Sequence, residues 1–209
     1  MNESNNPGQE YLLVSKARSG DLESFETLVN LYAKRVFHIV YKILESVHDA
    51  EDVLQETFLK AFENLTKFRG ESSFYTWIVQ IAVNAALQRV KKRRPQTVSL
   101  DEFNGDDDDF RPEQIVVWDD NPETLYSQKE TQRILEESIT SLPIIYRTVF
   151  LLKDVEDMRM TKIAKTLEIS LPAAKSRLIR ARLELRERLS RYFKKKGAPV
   201  YSGVHHHDS

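Results

Sequence analysis

Thr161-Lys162-Ile163-Ala164-Lys165-Thr166-Leu167-Glu168-Ile169-Ser170-Leu171-Pro172-Ala173-Ala174-Lys175-Ser176-Arg177-Leu178-Ile179-Arg180-Ala181-Arg182 reads as two helices joined by a tight turn. Ile163, Ala164 and Leu167 share the inner face of a short first helix, and Ala164 is small enough for a close helix crossing. Glu168-Ile169-Ser170 supply the turn. Ser170 suits the N-cap of the second helix, with Pro172 in the first turn, where its missing N–H costs nothing. At 100° per residue, Leu171, Ala174, Leu178, Ala181, Leu185 and Leu189 fall within an arc of about 80°. Lys175, Ser176, Ile179 and Arg180 lie on the opposite side. A helix that reads the major groove needs one face packed on its own domain and the other offering donors to phosphates and base edges. An ordinary basic amphipathic helix shares the second feature. The short preceding helix and the capped turn set this segment apart.

Working outward, helical periodicity spans residues 123–193, and residues 194–209 form a tail. Residues 95–122 lose the periodicity and carry Pro112 and Pro122, with Ile115-Val116-Val117-Trp118 as the one apolar run. They are expected to be a flexible acidic linker, because like charges favour extension. From Ser99 to Glu123 there are ten acids against one base, Arg111, whereas from Leu171 to Lys196 there are ten bases against two acids. The whole-chain net charge of −1 hides this segregation. A basic terminal module points to a polyanionic partner.

Residues 11–94 form a second helical domain after a flexible N-terminus, residues 1–10. Leu54, Phe58, Ala61, Phe62 and Leu65 make one apolar stripe of a helix expected to start at Asp49. Asp52, Gln55, Glu56, Leu59 and Glu63 project to other faces and are free to meet a partner. Phe74, Trp77, Ile78, Ile81, Ala82, Ala85 and Leu87 follow as a second apolar set, running into Lys91-Lys92-Arg93-Arg94, which Pro95 closes. The expected fold is therefore all-α: two helical domains joined by a flexible acidic linker, the second containing a helix-turn-helix.

With 209 residues, 41% hydrophobic and 30% charged, the chain can bury two modest cores. It has no Cys, which excludes a disulfide scaffold and thiolate metal sites and fits a reducing cytoplasm. Met1 to Glu10 lacks the apolar core of an export signal, and no apolar run reaches membrane-spanning length. Neither export nor membrane insertion is expected.

Two blocks of sequence then resemble the extracytoplasmic-function sigma factors of the sigma-70 family, in particular the sigma-E-like ones. The first is Asp49-Ala50-Glu51-Asp52-Val53-Leu54-Gln55-Glu56-Thr57-Phe58, followed by Phe68-Arg69-Gly70-Glu71-Ser72-Ser73-Phe74-Tyr75-Thr76-Trp77 and Ile81-Ala82-Val83-Asn84. The second is Leu142-Pro143, Ile163-Ala164 and Lys175-Ser176-Arg177-Leu178 through Arg180-Ala181-Arg182. The match runs from about Asp21 to Leu189. It departs from the usual pattern at Arg159-Met160-Thr161-Lys162 and at Pro172-Ala173-Ala174, which bears on the preferred −35 sequence rather than on the fold.

The resemblance implies a promoter specificity subunit for RNA polymerase. Asp52, Gln55 and Glu56 would dock on the β′ clamp helices, and the C-terminal domain would meet the β flap. Phe68, Ser72, Phe74, Tyr75, Trp77 and Asn84 would hold an unstacked base of the −10 element, since stacking and hydrogen bonding can recover the cost of extrusion. Trp77 and Phe74 suit a core role equally well. Asn84 is sharper, because its amide both donates and accepts. Arg89, Lys91, Lys92, Arg93 and Arg94 would contact phosphates, adding affinity more than sequence choice. Lys175, Ser176, Ile179 and Arg180 would read the −35 element. The linker would thread toward the RNA exit channel, and an anti-sigma factor is an expected partner.

A stand-alone helix-turn-helix regulator is the main rival, but it leaves the acidic helix face and the aromatic loop without a use. An enzyme needs convergent groups, whereas Asp106 to Asp109 are consecutive within the linker. No catalysis, cofactor or metal is expected, and His205-His206-His207 reads as an incidental tail feature.

Overall fold

A computed structural model describes residues 7–93 and 128–195; the linker and the tail beyond Lys195 lie outside them. Every regular element among the described residues is helical. The N-terminal domain comprises α1 (Pro7–Arg18), α2 (Leu22–Leu44), α3 (Val47–Glu63), a 3-10 turn (Leu65–Lys67) and α4 (Phe74–Arg93). The C-terminal domain comprises α5 (Gln128–Thr140), α6 (Ile144–Phe150), a π-helical continuation (Leu151–Val155), α7 (Met160–Leu167) and α8 (Leu171–Lys195).

Local chemistry sets the boundaries. Gly20 takes φ +98 after α1, a conformation side chains disfavour. Asp21 then caps α2, accepting from Glu23 N at 3.2 Å and from Ser24 Oγ at 2.6 Å. The Ser24 bond holds the Asp21 carboxyl below its ordinary range. Glu45 closes α2 in the left-handed region (φ 55), returning its N–H to the Tyr41 carbonyl. Ser46 caps α3 by accepting from Asp49 N at 3.3 Å. The helix therefore starts before Asp49, and Asp49 sits in its first turn.

Leu28, Val36 and Val40 of α2 pack with Ala50, Val53 and Ala61 of α3 and with Phe74, Ile78 and Val83 of α4. Burying each of the larger side chains contributes about 1.5–3 kcal/mol before entropy is counted. The buried stripe of α3 is rotated relative to the sequence expectation. Ala50, Val53, Thr57, Phe58 and Ala61 face inward, while Phe62 is 44% exposed and meets Phe25 edge-on at 5.0 Å. Thr57 is tolerated inside because its hydroxyl donates to the Val53 carbonyl at 2.6 Å.

Residues 7–10, expected within a flexible N-terminus, are helical, and Glu10 is fixed by two partners. Its carboxylate accepts from Phe74 N at 3.0 Å and from the Tyr32 hydroxyl. It thereby satisfies an otherwise unpaired amide at the start of α4. In the C-terminal domain Leu142, Val149, Leu151, Leu152 and Ile163 meet Ala174, Leu178, Ala181 and Leu185 of α8. The two domains also touch, α2 against α6 and α4 against α7.

Candidate nucleic-acid interface

The helix-turn-helix forms where the sequence places it. Glu168 takes φ 55 and returns its N–H toward the Ala164 and Lys165 carbonyls, and Ile169 N donates to the Ala164 carbonyl at 3.0 Å. Ser170 Oγ accepts from Ala173 N at 3.2 Å, capping α8. Ala174, Leu178, Ala181 and Leu185 are buried on the face that the 100° projection assigns. Of the four residues on the opposite side, Lys175 is exposed, and Ile179 and Arg180 are half-buried. Arg180 donates to the Tyr146 hydroxyl of α6 at 3.2 Å. Ser176 differs from the outward expectation: its hydroxyl is buried and has no hydrogen-bond partner among the described residues. Arg182 is held by Asp154 through two bonds of 2.9 and 2.6 Å, and that pairing strengthens its hold on its proton.

In the N-terminal domain the loop before α4 turns at Gly70 (φ +72), and Ser73 Oγ accepts from Thr76 N at 3.1 Å to cap the helix. Phe68, Phe74 and Trp77 cluster beneath this loop, with ring centroids 5.9 Å apart for Phe68–Phe74, 5.0 Å for Phe68–Trp77 and 5.8 Å for Phe74–Trp77. Phe68 and Phe74 are buried, so they wall the loop from inside, while Trp77 and Ser72 are half-buried at its surface. Tyr75, grouped with them in the sequence reading, is buried between the domains. Its ring lies 5.1 Å from that of Tyr32, and burial together with Glu156 pushes its hydroxyl pKa far up. Asn84 is exposed, flanked by buried Val83 and Ala85, and its side chain forms no hydrogen bond among the described residues.

The basic end of α4 is partly committed internally. Arg89 Nε meets Asp49 at 2.9 Å and its Nη2 meets Asp52 at 2.6 Å, while Arg93 pairs with Asp49. The Ser46 contact, with Arg93 and Arg89 behind it, holds the buried Asp49 carboxyl below its ordinary range. Lys91 and Lys92 are exposed, and Arg94 lies outside the described residues. On α3, Gln55 and Glu56 are exposed, with Lys60 paired to Glu56. Asp52 is half-buried between Arg89 and His48. Leu59, one turn on from Gln55 and Glu56, is 60% exposed and adds an apolar spot to this acidic face.

Sequence reasoning missed the Asp49–Arg89–Arg93 network, the role of Glu10, and the partners that join the domains. Each depends on which helices become neighbours, and no local pattern reports that. Among the described residues no group of three His, Cys, Asp or Glu could hold a metal ion, and no helix is long and apolar enough to cross a membrane.

Comparison with known proteins agrees with this layout. Sigma-70 region 2 matches residues 28–96, and Sigma-70 region 4 matches residues 132–185. The chain is 31% identical over 176 residues to the ECF RNA polymerase sigma factor SigW of Bacillus subtilis, covering 84% of this chain and 94% of that relative. It is 33% identical over 173 residues to the ECF RNA polymerase sigma-E factor of Escherichia coli, covering 82% and 89%. The fold is similar to that of the sigma factor RpoE solved with the anti-sigma factor NepR from Bartonella quintana. That likeness has a TM-score of 0.57 and 21% identity, and covers 80% of this chain and 98% of that one. With both promoter-reading regions present in order and the relatives matched over most of their length, the chain belongs to the extracytoplasmic-function sigma factors of the sigma-70 family, which direct promoter recognition and transcription initiation by RNA polymerase.

Proposed function

We propose a division of labour among the surfaces described above. Gln55, Glu56 and the exposed edge of Asp52 dock on the β′ clamp helices, with Leu59 as the apolar contact within an acidic face. Asn84, Trp77 and Ser72 take the extruded −10 base, and Phe68 and Phe74 shape the pocket from behind. Lys91 and Lys92 meet phosphates, and Arg93, Arg89 and Arg94 extend that track. Lys175, Ile179 and Arg180 read the −35 element, with Ser176 beneath them. Residues 11–94 and 123–193 serve as the two promoter-reading domains, and residues 95–122 join them. The protein acts in the cytoplasm without catalysis of its own, and an anti-sigma factor holds it in reserve, as NepR is solved with RpoE.

The observation that carries this reading is Asn84: an exposed amide with no side-chain partner among the described residues, between buried Val83 and Ala85, on the helix that follows the aromatic loop. A purely structural Asn would have a protein partner, whereas a base-capturing one needs its donors and acceptor free. Run-off transcription with core polymerase on fragmented genomic DNA, with start sites mapped, tests the reading. Starts sharing −10 and −35 sequences are expected, and their absence would overturn it.

A further inference from the structure

The promoter-reading roles leave α1 unused, yet it reaches both sides of the aromatic loop. Val14 and Ala17 are buried where α1 packs on α2, and Arg18, at its end, donates to the Thr66 carbonyl of the 3-10 turn at 3.4 Å. Toward its start, Glu10 accepts from Phe74 N of α4 at 3.0 Å and from the Tyr32 hydroxyl of α2. One carboxylate thus joins three helices, and its partner Phe74 stands 64 residues along the chain.

Phe74 is the first residue of α4, and its N–H has no acceptor within the helix. A carboxylate suits that place doubly, since it accepts the hydrogen bond and faces the positive end of the helix. Phe74 is fully buried, and its ring lies 5.9 Å from that of Phe68, 5.8 Å from Trp77 and 6.1 Å from Tyr32. Fixing the Phe74 backbone therefore fixes the rings that wall the loop and, through Trp77 in the same first turn, the surface offered to a base. A loose helix start would have to be ordered as the base arrives, and that entropy would be drawn from the energy of capture.

We propose that Glu10 is a positioning residue for −10 capture: its carboxylate locks the first turn of α4 to α1 and α2, so that the loop from Phe68 to Phe74 is shaped before the duplex opens. Glu10 acts through Phe74 and Trp77 rather than by meeting DNA itself. Glutamine fits the same geometry, because its carbonyl can accept from Phe74 N while its amide donates to the Tyr32 oxygen. Alanine can do neither.

The inference rests on the reading of this loop as the −10 pocket, and Asn84→Ala serves as the control for that reading. In the holoenzyme, Glu10→Ala should lower open-complex yield on a matched promoter by about tenfold, while affinity for core polymerase and closed-complex formation stay at the parent's level. The loss should shrink on a template mismatched across the −10 segment. Glu10→Gln should restore melting. With Trp118→Phe leaving Trp77 as the sole Trp, its emission should red-shift in Glu10→Ala and return in Glu10→Gln. A merely structural role would instead lower closed and open complexes alike on both templates, and that result would overturn the proposal. Tyr32→Phe keeps the ring and removes only the hydroxyl, so it should show the same defect more weakly. Parent-level melting by Tyr32→Phe would overturn the proposal even where Glu10→Ala does not fold. Parent-level melting by Glu10→Ala beside a defective Asn84→Ala would sink the proposal alone, whereas two undisturbed variants would remove the −10 reading with it.

Discussion

The Asp49 carboxylate, buried in the first turn of α3, accepts from Arg89 Nε of α4 at 2.9 Å. This bond ties the helix proposed to dock on polymerase to the helix proposed to take the −10 base. Arg93 joins the same carboxylate, so one acid orients two bases. Asp49→Asn should lower the thermal midpoint and weaken promoter binding together, because Arg93 loses its carboxylate partner and Arg89 keeps only Asp52. The pH dependence has a definite sign. The folded-state pKa lies below the unfolded value, so the stabilisation is complete above the ordinary aspartate range and disappears as pH falls through the depressed folded value. Thermal melts between neutral and acid pH should converge for parent and variant at the acid end; a constant gap would contradict the assignment.

Charge reversal at the docking face should act on polymerase affinity rather than on fold. Glu56→Lys removes an exposed acid whose intramolecular partner is Lys60, one turn away. An exposed pair of this kind is worth about 0.3–0.5 kcal/mol to the helix, so the circular dichroism spectrum should be unchanged. Affinity for core polymerase, measured by fluorescence anisotropy, should drop roughly tenfold at low salt and less at high salt. Asp52 makes a poorer probe, since reversing it also disturbs Arg89.

Lys175→Ala and Arg180→Ala should differ in kind. Exposed Lys175 suits a phosphate contact, so its loss should weaken binding to all promoter variants alike and reduce the salt slope by about one. Arg180, steered by Tyr146, suits a base edge, and its loss should relax discrimination at one −35 position by about 1–3 kcal/mol. Transcription across a set of −35 variants and salt concentrations separates the two. Equal discrimination by parent and Arg180→Ala would reassign the outward face.

Asn84→Ala should spare closed-complex formation and reduce open-complex yield by about ten- to a hundredfold, the value of one lost base contact. The defect should shrink on a template mismatched across the −10 segment, where the protein no longer drives unpairing. Permanganate footprinting on matched and mismatched promoters measures both effects. Melting of the matched promoter at the parent's level would make Asn84 a structural residue.

Local patterns carry much of this protein. The spacing from Ile163 through Leu189, the Ser170 cap and Pro172 specify the helix-turn-helix from within one segment, because side-chain periodicity and capping are short-range properties. The family motifs likewise lie along single helices and loops. What required the tertiary structure is everything that joins separate segments. The start of α3 at Ser46 is a local cap, but the burial of the Asp49 carboxylate depends on the arrival of Arg89 and Arg93 on a helix forty residues away. Phe68 and Phe74 become walls, and Tyr75 a link between domains, because their rings find neighbours that no periodicity names. No local pattern marks Arg147 or Glu156, whose partners on α2 and α4 are set by the packing of the two domains. A residue's reach to its own helix is set by the backbone repeat, whereas its reach to another element is set by how the whole chain packs.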